Sequence, residues 1–498
     1  MKIKNICLLF LLVFLSSCFK DETTHATGAI SEISIVKGTI KSIYDIDKNA
    51  TLVITPQILQ TNVTKALSYT WEIDQEIYSN DSEFVFYGNK LGTFDCRLIV
   101  ENEDGKTFFP FKLNVNSPYE EGITVISHDT DGKSMLSFML KQRDEGVKDF
   151  FIADDCFTLN NPEESFVSNV TDIIQCGGSL LIACKGDATK GEGGTIYYLN
   201  EKTFVIENIL KAPEYEDFRP YRMLIPENSA AGTSYPILCE NGKVYEFSTS
   251  ESAVVEPKLF KSNYSLCSAL YDSGTASWNY IYLWDFLQNQ LSIQYNGRLY
   301  YCSKEYPNDP SLTSPPTNYF AGYDFVFMFV PKSINAGTSP YHDQMVVITK
   351  KGAMYQSTLL YTGFWQTNME TLETGLGDYG GMKLAGMKCD LTPQTPYVAT
   401  HLYNALYYAK QNQILRMNYS VSMFLNSVKK HSTVGSSEAV ITAMELSQDH
   451  LETYVAFYEP NESGLNGHVW VIETETGEIL RKYDNVCYRP TKIIYKKK

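Results

Sequence analysis

Few groups in this chain combine a residue type and a spacing that could do chemistry. Asp129-Thr130-Asp131-Gly132 opens like a calcium loop, a motif that also needs Gly at its sixth position and Glu at its twelfth. Counting from Asp129, those positions hold Ser134 and Leu140, so a tight hairpin is expected instead. Asp154 and Asp155 offer two carboxylates, but neighbours on a strand point to opposite faces and cannot act together on one substrate. Tyr341-His342-Asp343 sets a base beside an acid with no Ser or Cys nucleophile turn nearby, the pattern of a solvated loop rather than a relay. None of the seven His falls in a metal-ligand spacing, and neither Cys-x-x-Cys nor His-Glu-x-x-His occurs, so no metal, cofactor or catalytic residue is expected. Aromatic residues in turn-rich stretches are better candidates for a site: Tyr235, Trp278, Tyr280, Tyr341 and Trp365. Such rings can grip an extended ligand by stacking, or they can cap a core.

The first 22 residues carry a different kind of chemistry. Lys2 and Lys4, the apolar run Ile6 to Leu15 and the small residues Ser16-Ser17 before Cys18 have the order of a secretory signal. The apolar run is far shorter than the roughly 20 residues that cross a bilayer. Leu15-Ser16-Ser17-Cys18 resembles the lipobox of bacterial lipoproteins. That resemblance implies that the Cys18 thiol takes a diacylglycerol and becomes the acylated N-terminus after cleavage, with residues 1–17 as signal peptide and 18–29 as a polar tether. Lys20-Asp21-Glu22 then resembles the surface-export signal of Bacteroidetes lipoproteins, which implies a lipid-anchored outer-membrane protein facing the cell exterior.

Composition fits a folded cargo on such an anchor. The formal net charge is −16, and loss of Lys2 and Lys4 with the signal makes it more negative. This balance argues against nucleic acid as a partner and leaves membrane contact to the lipid. A chain of 498 residues is expected to form two or more domains. Its 35 Tyr and 26 Phe, in short runs with Thr, Val and Ile, favour strands. Of the eleven Cys, nine remain after Cys7 and Cys18 are set aside. They are scattered, and several end apolar runs, as in Leu181-Ile182-Ala183-Cys184; such thiols behave as small core hydrophobes.

The elements that must position any site are strands. Over residues 30–117, alternating runs at Ser31–Val36, Thr51–Thr55, Ser68–Ile73, Glu83–Tyr87, Phe94–Val100 and Phe108–Val115 predict a two-sheet sandwich. Tyr69-Thr70-Trp71-Glu72-Ile73-Asp74 and Leu91-Gly92-Thr93-Phe94-Asp95-Cys96 resemble the polycystic-kidney-disease (PKD) domain, an immunoglobulin-like module. The resemblance implies that Trp71 packs between the sheets, although the usual Gly-Asp-Gly after the Trp strand is missing. Fold alone assigns such a domain no chemistry.

From residue 120 to 498 a turn followed by an apolar-aromatic strand recurs, as at Gly194-Thr195-Ile196-Tyr197, Asn241-Gly242-Lys243-Val244-Tyr245, Asn296-Gly297-Arg298-Leu299-Tyr300, Lys351-Gly352-Ala353-Met354-Tyr355 and Asn466-Gly467-His468-Val469-Trp470, with a degenerate copy near Asn404. A period near 50 residues built of strands predicts a β-propeller. Met223-Leu224-Ile225-Pro226 and Met328-Phe329-Val330-Pro331 repeat about 105 residues apart, two periods. Seven blades of about 54 residues are expected, with eight of about 47 as the alternative. Closure requires the strand at Thr491–Tyr495 to pair with Gly122–Ser127.

The order of lipobox, PKD-like sandwich and propeller resembles the PKD-like surface lipoproteins of Bacteroidetes, accessory to SusC/SusD-type uptake systems. The resemblance implies a non-catalytic lipoprotein that binds an oligopeptide or glycan, or docks on a SusC/SusD-type transporter pair. A propeller hydrolase or lyase acting on the same nutrient is the alternative.

Overall fold

The computed structural model describes residues 30–140, 151–152, 155–226, 234–248, 253–255, 260, 263–271, 279–295, 298–303, 320–333, 344–361, 365–367, 374–376, 384–386, 389–419 and 427–498. The Cys18 and Lys20-Asp21-Glu22 motifs, Asp154, Trp278 and Tyr341-His342-Asp343 lie outside these residues. The chain divides into two compact units between Ser117 and Pro118. Among the described residues no helix is long and apolar enough to cross a membrane.

The first unit is built on the long hairpin Gly92–Asn102 with Gly105–Asn116, joined by Ile43–Asp47 in parallel on one side and by Ser68–Ile73 and Glu76–Ser79 on the other. Two further pairs, Ile33–Ile35 with Ile58–Gln60 and Thr51–Ile54 with Phe84–Tyr87, share a single core with this five-stranded sheet. The alternation that makes the strands legible is visible in their burial: Cys96, Leu98, Val100 and Phe111, Leu113, Val115 are buried in strict alternation with more exposed neighbours. Trp71 is fully buried, packs 4.9 Å from the Phe84 ring, and donates its indole N–H to the Asp81 carbonyl at 2.9 Å. The short strands at Ile43–Asp47, Ile58–Gln60 and Glu76–Ser79 are not among those expected from the sequence. These pieces sit at the edge of the five-stranded sheet or in a separate two-stranded ladder, where half the side chains face solvent and the apolar pattern thins.

The second unit is a β-propeller. Seven sheets follow one another along the described chain; six have four antiparallel strands, and in the other, of six strands, Arg298–Ser303 pairs in parallel with Thr374–Leu376. In order of sequence their first strands are Val170–Cys176, Pro220–Met223, Tyr264–Tyr271, Asp324–Phe329, Tyr397–Thr400 and Val440–Leu446; the seventh first strand is Arg489–Lys496, at the chain's end. That last strand pairs with Gly122–His128, the start of the unit, so one sheet is assembled from both ends of the unit, as the sequence predicts. Apolar clusters link every neighbouring pair of sheets around a ring. The sheet shared by the two termini packs on its neighbours through Ile126, Phe138 and Leu180 on one side and through Val125, Val469 and Ile493 on the other. The remaining joints are filled by clusters such as Leu181 with Ile237, Leu238 with Leu283, Trp284 with Phe327 and Tyr407 with Val455.

The turn repeat marks the sheets but not always the same strand. Gly194, Gly242, Gly352 and Gly467 precede or open third strands, whereas Arg298–Ser303 is the fourth strand of its sheet and Ala405–Lys410, after Asn404, is a second strand. Any tight antiparallel hairpin selects the same turn residues, so the motif cannot tell one hairpin of a blade from the next. Gly467 has a further reason to be glycine: a Cβ there would lie 1.9 Å from the Tyr488 carbonyl oxygen of the adjacent chain. Asp129-Thr130-Asp131-Gly132 is a hairpin turn, its Asp129 carboxylate accepting the Asp131 and Lys133 N–H groups at 2.9 and 2.8 Å.

Candidate functional site

The aromatic candidates do not form one surface among the described residues. Tyr235 is buried in the cluster between two sheets, with Ile237 and Phe247, so it caps a core and is not available to grip a ligand. Alternation on its strand aims it inward with Ile237. Tyr280 is half-buried and stacks on Tyr282 with ring centroids 6.4 Å apart. Trp365 lies on a short strand paired with Thr374–Leu376, and its side chain, like Trp278 and Tyr341, is outside the described residues.

What the ring does build is a central cavity of about 570 Å³, lined by residues from the first strands of all seven sheets or from the turns that follow them. The strands reach it through a repeated irregularity. In five of them one residue bulges out of register with the second strand, at Val170/Asp172, Pro220/Arg222, Phe325/Phe327, Ile441/Ala443 and, in the terminal strand, Pro490/Lys492. A bulge bends its strand and re-aims the side chains beside it. On three consecutive sheets the residue at which pairing resumes is charged: Lys492, Asp172 and Arg222. Thr171, inside one bulge, donates to the Pro220 carbonyl on the next sheet at 2.8 Å and so holds the bulges in step.

The resulting electrostatics are specific. Asp172 is buried, accepts the Met223 N–H at 2.7 Å and lies 3.6 Å from the Lys492 ammonium. Lys332, past the end of its strand, is paired with Glu445. Burial opposes ionisation of Glu445, but the Lys332 cation, the Leu446 N–H and Lys492 outweigh it and hold the carboxyl below its ordinary value. Burial pushes the Lys492 ammonium down, an effect that Asp172 and Glu445 oppose and Arg222 reinforces. Burial likewise works against the Arg222 charge, and here the nearby Asp172 carboxylate prevails, so its pKa rises. Cys267, behind this cluster, is pushed up to about 11 by burial and donates to the Met328 carbonyl at 3.3 Å.

A hydroxyl and an imidazole meet beside the cavity. His450 Nδ1 is 2.8 Å from Thr400 Oγ1, but that hydroxyl also accepts the Leu402 N–H and is fully buried. The imidazole pKa is pushed down to about 4, first by burial and then by Lys332. A base so depressed, against a hydroxyl no substrate can reach, serves packing rather than nucleophile activation. No group of three or more His, Cys, Asp and Glu suited to a metal occurs among the described residues. The eight Cys whose side chains are described are free thiols, and six of them are buried as small hydrophobes.

Sequence reasoning missed Asp172, Arg222, Lys332, Glu445 and Lys492. A signal was present for three of them. Val170-Thr171-Asp172-Ile173-Ile174, Pro220-Tyr221-Arg222-Met223-Leu224 and Pro490-Thr491-Lys492-Ile493-Ile494 share one pattern, a charge at the third position of an otherwise uncharged run that ends in two apolar residues. The Met-to-Pro repeats end two of the same first strands, and Leu224, Ile225, Val330 and Pro331 from those repeats line the cavity.

A ring of sheets around a charged cavity defines a β-propeller with an open centre. No protein-family model matches the chain, and no curated protein matches it. Among solved structures it is similar to a quinoprotein alcohol dehydrogenase-like protein from Bacteroides thetaiotaomicron VPI-5482, with a TM-score of 0.46 and 15% identity over 94% of this chain and 99% of that one. It is also similar to the Cps50 (Swd1) β-propeller domain from Myceliophteria thermophila, with a TM-score of 0.36 and 12% identity over 64% of this chain and 88% of that one. At such identities and TM-scores the likeness carries no activity to this chain.

Proposed function

We propose that this chain is a non-catalytic surface lipoprotein that recognises a nutrient, an oligopeptide or a glycan, or docks on a SusC/SusD-type transporter pair. In this reading Cys18 carries the lipid, Lys20, Asp21 and Glu22 direct export to the outer face of the outer membrane, an immunoglobulin-like PKD domain over 30–117 acts as spacer, and a seven-bladed propeller over 120–498 supplies the recognition face. The observation that carries the proposal is the central cavity, which gathers charged, polar and apolar side chains from every sheet of the ring.

The test is a pull-down of the tagged full-length protein from native outer membranes, with mass spectrometry of what comes with it. Recovery of a TonB-dependent channel and its lipoprotein lid is expected. Candidate peptides and glycans incubated with the purified protein should be bound and returned intact. Cleaved products that disappear when a propeller Asp, Glu or His is substituted would make it an enzyme instead.

A further inference from the structure

The cavity has an imbalance of charge that the fold does not use. Its lining holds four cations, Arg222, Lys332, Lys492 and Lys497, and two carboxylates, Asp172 and Glu445. Each carboxylate has a lysine: Asp172 is 3.6 Å from Lys492, and Glu445 is paired with Lys332. Arg222 belongs to neither pair. It is half-buried, it senses Asp172 through space, and among the described residues its guanidinium has no hydrogen-bonded or ion-paired partner. A guanidinium carries five N–H donors in a planar fork, and leaving them unanswered in a partly dry site is costly. The chain as a whole is acidic, at −16, so a local excess of positive charge runs against its composition.

We propose that the propeller cavity binds the terminal carboxylate of an oligopeptide, with Arg222 as the group that receives it. The proposal rests on the recognition reading above and names the ligand group. A carboxylate matches the guanidinium fork with two parallel hydrogen bonds. A cavity of about 570 Å³ accommodates the last residues of a peptide. Leu224, Leu270 and Val330 supply the apolar wall that a side chain would pack on, which favours a peptide over an acidic sugar.

Calorimetric titration of the full mature protein with tetraalanine, tetraalanine C-terminal amide and trigalacturonate tests this. Tetraalanine is expected to bind at least about 10-fold more tightly than its amide, the worth of a hydrogen-bonded charge pair. Arg222→Gln should bring the acid down to the level of the amide, while Arg222→Lys, which keeps the charge and loses the fork, should fall between. Added salt should weaken binding of the acid and leave the amide unchanged. Should Arg222→Gln unfold the ring, the comparison of acid with amide on the wild-type protein still decides. Equal binding of acid and amide overturns the carboxylate site while leaving nutrient recognition intact. Binding of trigalacturonate alone overturns the peptide assignment, and binding of none of the three probes overturns the site altogether, whatever partner the membrane pull-down recovers.

Discussion

Two histidines report how dry the ring is at the scale of single residues. His450 beside the cavity and His431, whose ring lies tilted 4.8 Å from that of Tyr407, both have imidazole pKa values pushed down to about 4. For His450 the cause is burial, then Lys332, with Glu445 and Asp449 pulling the other way; for His431 it is burial, then Arg416. An unfolded histidine titrates near 6.5. Between these values the unfolded chain binds more protons than the folded one, so stability is full above about pH 6.5 and falls as the pH drops toward 4. Each histidine should contribute a slope approaching about 1.4 kcal/mol per pH unit in that window. Urea melts at pH 7.5 and 5 should show the loss, and His431→Gln should flatten it by about half. Identical melts of the wild-type protein at the two values would remove the effect.

Strands are the scale at which the sequence was most legible. The runs Ser68–Ile73 and Thr51–Ile54 could be delimited almost to the residue, because alternation on a half-buried sheet repeats every second position. Closure was legible as well: Ile493 and Val125, both fully buried, sit opposite each other in the pairing of the last strand with the first. The cavity was not, because its charges stand one per strand inside apolar runs and meet only across sheets about 50 residues apart in the chain. Lys492 and Asp172 are a case in point, 3.6 Å apart in space and at opposite ends of the propeller sequence. Aromatic residues misled for the converse reason, since a Tyr near a turn, such as Tyr235, can be turned inward by the strand that follows. The closing strand yields a prediction of its own. Deleting Thr491 to Lys498 removes Ile493, Ile494 and Tyr495, which belong to the clusters on both sides of their sheet. It also removes Lys492, the partner of Asp172. Loss of three large buried side chains costs several kcal/mol even before the exposed strand edge is counted. Thermal unfolding of the truncated protein should therefore start well below that of the full chain and involve the whole ring; a melt that coincides with the wild-type curve would show that the ring does not depend on this strand.

For the whole molecule the proposal of membrane attachment turns on what could supply it. A chain with a net charge of −16 is repelled by anionic headgroups, so electrostatics cannot supply attachment. Lipidation can, and stable anchoring takes more than one acyl chain, which is what the proposed diacylglycerol on Cys18 with an acylated amine would provide. Cys18→Ala should therefore move the protein from the membrane fraction to the soluble one and abolish incorporation of labelled lipid; a variant that stays in the membrane with normal labelling excludes the lipid anchor. Export is separable from anchoring. Changing Lys20, Asp21 and Glu22 together to Ala leaves the thiol in place, so the protein should keep its lipid and its membrane fraction yet become resistant to protease added to intact cells. The two substitutions thus give opposite readouts, loss of the membrane with Cys18→Ala and loss of exposure with the triple variant. Unchanged shaving of the triple variant would mean that some other part of the chain carries the address.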